Sequence, residues 1–141
     1  MKHANWMVVV TLVVLSGMAA AQLASGSRIV AQVPFEFMVA NKIVPAGTWE
    51  VRKATIDGRT LTIANADAKV GLFSGSSWTE GKQSAANYAL VFNRYGDRYF
   101  LTGIKVQGSK ITYRLPESRV EAELRAQNVS ATEQTLLASV K

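Results

Sequence analysis

The residues best suited to recognition crowd into one short stretch, Arg94-Tyr95-Gly96-Asp97-Arg98-Tyr99. Two guanidiniums can form bidentate hydrogen bonds to an anionic group, and two phenols present flat faces for stacking. At a hairpin tip they would hold an anionic polymer or a sugar. The plainer reading is a self-satisfied turn in which Asp97 pairs with an arginine and Tyr99 packs. Trp78 stands apart, between Ser77 and Thr79 in a Gly/Ser-rich stretch. It reads as an exposed contact residue or a lid over one end of the core. Arg94, Tyr95, Arg98, Tyr99 and Trp78 are therefore the candidate binding residues.

Other chemistries are excluded by composition. The one histidine is His3, and there is no cysteine. Beyond residue 3 the chain thus lacks Ser-His-Asp and Cys-His nucleophilic sites, thiol redox chemistry, and the usual zinc, copper or haem ligands. No catalytic residue, metal or cofactor is expected, and the chain reads as a non-enzyme. Carboxylates remain, but they are scattered apart from Glu117, Glu121 and Glu123, which read as a solvated helix face. Gly75-Ser-Ser-Trp-Thr-Glu-Gly81-Lys82-Gln83 only superficially resembles a phosphate loop. It has one residue too many between the glycines, and Gln83 stands where a magnesium-binding hydroxyl belongs.

The elements that must carry these residues begin after a leader. Lys2 gives a positive start, Trp6 to Leu15 is apolar, Gly17 breaks the run, and Ala19-Ala20-Ala21 supplies small residues ahead of Gln22. This is the pattern of a cleaved secretory signal peptide over residues 1–21. The apolar run is short for a spanning helix, which needs about 20 residues. The mature chain would then be secreted or periplasmic, with no transmembrane span after cleavage. Its 120 residues suffice for one core.

From residue 28 to 115 the apolar period is mostly two. Val33, Phe35, Phe37 and Val39 alternate with Pro34, Glu36 and Met38; Trp49 with Val51, and Leu61 with Ile63, do the same. Turn residues recur at Pro45-Ala46-Gly47, Asp57-Gly58, Asn65-Ala66-Asp67, Tyr95-Gly96-Asp97 and Gly108-Ser109. The pattern predicts an all-β fold: an antiparallel sandwich or small barrel of about seven strands with a C-terminal helix. A three-residue Ile56-Asp57-Gly58 loop pairs Val51 with Ile63 and puts Trp49, Val51, Leu61 and Ile63 on one face, with Gly58 left-handed. A Gly108-Ser109 turn pairs Ile104 with Tyr113. A Tyr95-Gly96-Asp97 loop pairs Phe92 with Phe100. That hairpin is expected to be covered on both sides, because Val91, Tyr99 and Leu101 then lie opposite Phe92 and Phe100. Gly75–Asn87 reads as the longest loop. A helix is predicted from Pro116 to Gln127, with a Glu121–Arg125 pair along it. Residues 22–127 thus form the β-rich domain with its helix, and 128–141 a tail or short second helix opened by a Ser130–Glu133 capping box.

Two further surfaces follow from composition. Phe35, Phe37, Trp49, Phe92, Phe100 and Tyr113 would either fill the core or line a barrel cavity for an apolar ligand. The net charge of +6, or +5 without Lys2, favours anionic partners such as an envelope component, and another protein is the alternative partner. The basic residues are spread out, with no basic run and no RNA-binding aromatic motif, which argues against specific nucleic-acid recognition.

Val33-Pro34-Phe35-Glu36-Phe37-Met38-Val39, Val44-Pro45-Ala46-Gly47-Thr48-Trp49-Glu50-Val51, and Leu90 to Leu101 followed by Ser118-Arg119-Val120-Glu121 together resemble a group of small secreted acidobacterial proteins with no assigned activity. The resemblance spans most of the mature chain and implies export and a β-rich fold. It carries no catalytic signature. The expectation is an exported, non-enzymatic structural or binding protein of the cell envelope or extracellular space, with a small β-barrel carrier of an apolar ligand as the alternative.

Overall fold

The structure, a computed structural model, describes residues 28–65 and 67–141; the signal peptide expected over residues 1–21 lies outside the described residues. Among the described residues, eleven strands and one helix follow in order: β1 Ile29–Val33, β2 Phe37–Val39, β3 Lys42–Val44, β4 Gly47–Lys53, β5 Thr60–Asn65, β6 Val70–Gly75, β7 Ser77–Glu80, β8 Tyr88–Tyr95, β9 Arg98–Lys105, β10 Ile111–Arg114, α1 Arg119–Ala126 and β11 Thr132–Val140. The all-β class holds, but the strands exceed the seven expected. They form one curled sheet, a half-barrel, in the order β3-β2-β9-β8-β11-β1-β4-β5-β6, with β10 beside β9 and β7 beside β10. The sheet is mixed rather than purely antiparallel, because β2 joins β9 in parallel at Met38 and Phe100. No helix among the described residues is long and apolar enough to cross a membrane.

The alternating residues build the core as their period requires. Trp49, Val51, Leu61 and Ile63 are buried together, and β4 meets β5 in the expected register, Val51 opposite Ile63. Gly58 takes φ +71° in that turn. The Ile104–Tyr113 pairing across Gly108-Ser109 also holds. Phe37 meets Trp49 and Phe92 edge-on, with ring centroids 5.3 Å apart in both pairs, so these aromatics fill the interior. The first predicted strand is cut in two. Pro34 has no amide to give a ladder, and the chain bends there between β1 and β2.

The β8–β9 hairpin differs from the expected register. Gly96, at φ +60°, and Asp97 alone form the turn, so Tyr95 faces Arg98 and Asn93 faces Phe100. A one-residue shift exchanges faces. Leu101 and Tyr99 therefore join Phe92 toward the core, while Phe100 goes to the opposite side and meets Tyr95. A bulge at Thr102 shifts the register by one further residue and sets Leu90 opposite Ile104. Thr102 Oγ1 donates to the Val91 carbonyl at 3.2 Å, and its own carbonyl accepts from the Leu115 amide at 3.0 Å. As expected, the hairpin is covered on both sides: Ala89, Leu90, Val91 and Phe92 are all buried in succession.

Three further expectations are corrected. The Gly75–Asn87 stretch is not one loop, since it contains β7. The chain leaves the β5 ladder at Gly75 and enters the β10 ladder at Ser77, so β7 completes the pairing of β10. The segment 128–141 is neither tail nor second helix. Leu136 and Ala138 pack on the core at period two, and β11 inserts between β8 and β1, bonding two edges that would otherwise stay open. The helix starts at Arg119 rather than Pro116. Ser118, extended at φ −70° and ψ 156°, is the cap, and its Oγ accepts from the Glu121 amide at 3.1 Å.

Candidate functional site

The Arg94–Tyr99 hairpin tip does not assemble the four-residue grip. Arg94 Nε donates to the Gly96 carbonyl at 2.7 Å, and its guanidinium lies 5.5 Å from the Tyr99 ring centre. Tyr99 stacks on Phe35 at 3.7 Å between ring centres. Tyr95 is buried, and its hydroxyl donates to Glu121 Oε1 at 3.2 Å. Asp97 makes no ion pair among the described residues, contrary to the simple turn reading. Arg98 alone keeps an exposed guanidinium. It borders a groove of about 260 Å³ with Phe35, Phe37, Ile43 and Tyr99, and the carboxylates of Glu36 and Asp97 line the same groove. Trp78 lies far along the sheet on β7, 59% exposed and opposite Tyr113 across the ladder. The five candidate residues therefore do not form one site.

Glu121 is the largest departure from the sequence reading. It is not on a solvated face but only 4% exposed. Asn93 Nδ2 donates to its Oε1 at 2.8 Å, as does the Tyr95 hydroxyl. Arg125 pairs instead with Glu117, at 2.8 Å. The Ser118-Arg119-Val120-Glu121 spacing is that of a capping box, a signal that could have marked Glu121. Its carboxylate turns to the sheet instead, and so fastens α1 over the outer face of β8. Burial, and then the charge and hydrogen bond of Glu121, raise the Tyr95 phenol above the ordinary tyrosine value of 10.0. The folded state then holds the Tyr95 proton to higher pH than the unfolded chain does. Its contribution is complete below pH 10 and is lost as pH rises through the folded value. Tyr95→Phe should flatten the loss of stability measured by urea unfolding as pH rises above about 10. An unchanged slope would contradict this.

A better-formed concavity lies at one end of the half-barrel. Ile29, Val51, Leu61, Tyr88, Ile104 and Tyr113, from six different strands, line a pocket of about 270 Å³. Lys53 stands at its rim. It follows Trp49 and Val51 on the core-facing parity of β4, but at the strand's last position. Its Nζ lies 5.2 Å from the Tyr113 ring centre. Arg52, beside it, hydrogen-bonds Glu50 at 3.0 Å, and this bond, above the Arg28 charge, holds the Glu50 carboxyl below its usual value. Lys53 has no ion pair among the described residues. Gly58 makes room for this arrangement: a Cβ there would meet the Tyr113 ring at 2.7 Å. The sequence reading missed Lys53, although a cation continuing the Trp49, Val51 alternation was visible. Of the six aromatics expected to fill a core or line a cavity, only Tyr113 lines this pocket.

The chain matches no protein-family model, no curated protein and no solved structure.

Proposed function

We propose that this is an exported, non-enzymatic binding protein that holds a small apolar molecule with an anionic group in the mouth of its half-barrel. The observation that carries the reading is the apolar pocket between β1, β4, β5, β8, β9 and β10 with the Lys53 ammonium over Tyr113 at its rim. Six apolar or aromatic walls with Lys53, unpaired among the described residues and beside Arg52 that is already paired with Glu50, suit such a ligand, since a few polar groups in an apolar cleft set orientation. Export is supported by the leader over residues 1–21 and by the resemblance to small secreted proteins. The lack of histidine and cysteine beyond residue 3 supports a non-enzymatic role.

The test is fluorescence titration with anilinonaphthalene sulfonate, followed by displacement with decanoate or decanol. Decanoate should displace the probe better than decanol. Lys53→Met should weaken both probe and decanoate about tenfold while leaving decanol unchanged, a tenfold change being about 1.4 kcal/mol. Equal displacement by acid and alcohol would remove the anionic part of the proposal. No displaceable binding would remove the carrier reading itself.

The exposed Arg98 guanidinium supports a second reading, contact with an anionic envelope component, against the opposing charges of Glu36 and Asp97 in the same groove. Here Arg98→Ala should reduce sedimentation with isolated envelope at low salt, and wild-type sedimentation would dismiss it.

A further inference from the structure

On the side of the sheet opposite Tyr113, three cations gather around β10: Lys105 at the end of β9, Lys110 just before β10, and Arg114 at its end. Thr112 lies directly across from Lys105 on one side and Thr79 on the other. Alternation along the strand puts Arg114 on the same face as Thr112, and Lys110 precedes the strand at the same concavity. Lys105, Lys110 and Arg114 line a concavity of about 390 Å³ together with Thr79, Gln83, Ser84 and Ser109. Glu80 is the only acid in its wall. None of the three cations makes an ion pair among the described residues. Like charges on adjacent strands of one face oppose folding. Here they are kept together without a neutralising partner from the chain.

The wall is stitched in place. The Gly81 amide donates to the Lys110 carbonyl at 2.8 Å, Ala85 N to the Ser109 carbonyl at 2.9 Å, and Gly108 N to the Ala85 carbonyl at 2.9 Å. Arg114 Nε donates to Thr79 Oγ1 at 3.4 Å, across the β10–β7 pair. A built, cationic recess with hydroxyls and an amide on its walls suits a ligand that is anionic and rich in hydroxyls.

We infer that this recess binds an acidic sugar unit of a polysaccharide, its carboxylate or sulfate held by Lys105, Lys110 and Arg114 and its hydroxyls by Thr79, Gln83, Ser84 and Glu80. The lining argues against other polyanions. It offers no aromatic face on which a base could stack. It also offers no large apolar side chain to enter a lipid surface. The volume lies in the range of small-molecule sites, about 300–1,000 Å³, and is generous for a lone inorganic anion. The site is separate from the half-barrel mouth and does not depend on the carrier reading.

Affinity electrophoresis of the purified protein in gels containing polygalacturonate, dextran sulfate or neutral dextran tests it. Retardation is expected with one or both acidic glycans and not with neutral dextran, the two acidic gels distinguishing carboxylate from sulfate. The double variant Lys105→Gln/Lys110→Gln should lose at least tenfold in affinity, and Arg114→Gln a smaller factor. The control Lys42→Gln/Lys69→Gln removes the same charge elsewhere and should bind as the parent does. Thermal unfolding of each variant establishes that the fold is kept. Equal losses from the two double variants would reduce the effect to net charge and overturn the inference. Tighter retention by anionic phospholipid vesicles than by either glycan would overturn it too, as would failure of both acidic glycans to retard the protein.

Discussion

Trp49→Ala should lower the unfolding free energy by about 3–5 kcal/mol, the largest single-residue loss expected in this protein. Trp49 is completely buried on β4, with Phe37 edge-on at 5.3 Å. Its Nε1 donates to the Pro45 carbonyl at 3.0 Å. Truncation opens a cavity between two sheet segments and leaves that carbonyl without its donor, so the transfer and hydrogen-bond losses add. Domains of this size have roughly 5–15 kcal/mol in total, so the variant should be close to unfolded at room temperature. Urea unfolding followed by circular dichroism measures it. Trp78→Ala is the comparison: that ring is 59% exposed, and its loss should change stability by no more than about 0.5 kcal/mol. Similar losses at the two tryptophans would mean that the core is not centred on Trp49.

The second large effect is at Glu121. Glu121→Ala should cost about 2–3 kcal/mol, because it strands the Tyr95 hydroxyl and the Asn93 amide, both aimed at one buried oxygen. Glu121→Gln keeps an acceptor at that place and should cost clearly less. The pair of variants thus separates a hydrogen-bonding role from a purely electrostatic one. Glu123→Ala, on the exposed side of α1, should fall within about 0.5 kcal/mol. Were Glu121 solvated, all three changes would be equally mild. Loss of the Glu121 anchor should also make the α1 amides exchange hydrogen faster than those of β4 and β5, since the helix is short and contributes little stability of its own.

Much of the architecture was legible before any coordinates. Period two along Trp49-Glu50-Val51 and Leu61-Thr62-Ile63 assigns those strands and their buried face, because successive side chains of a strand must alternate. The register of the β4–β5 turn followed from requiring those four residues to share a face, with a glycine where φ is positive. The pairing of Ile104 with Tyr113 followed in the same way. That the chain has no cysteine, and no histidine beyond His3, is read from composition alone and needs no fold.

Other features depend on partners distant in the chain, and local pattern could not supply them. At Tyr95-Gly96-Asp97 two-residue and three-residue turns were both sterically open. The choice was decided by what covers each face of the hairpin, the core on one side and Tyr95, Phe100 and Glu121 on the other. Leu136 and Leu137 fit a helix or a strand equally well. Only the vacancy between β8 and β1, formed by residues 38 or more positions upstream, makes 132–140 a strand. Glu121 looked solvated because its two donors sit on β8, 26 and 28 residues earlier, and a carboxylate's environment is set by three-dimensional neighbours and not by its place on a helix. Lys53, Tyr113 and Gly58 meet for the same reason. Curling of the sheet closes six strands around one mouth, and a cation at the last core-facing position of β4 becomes its rim.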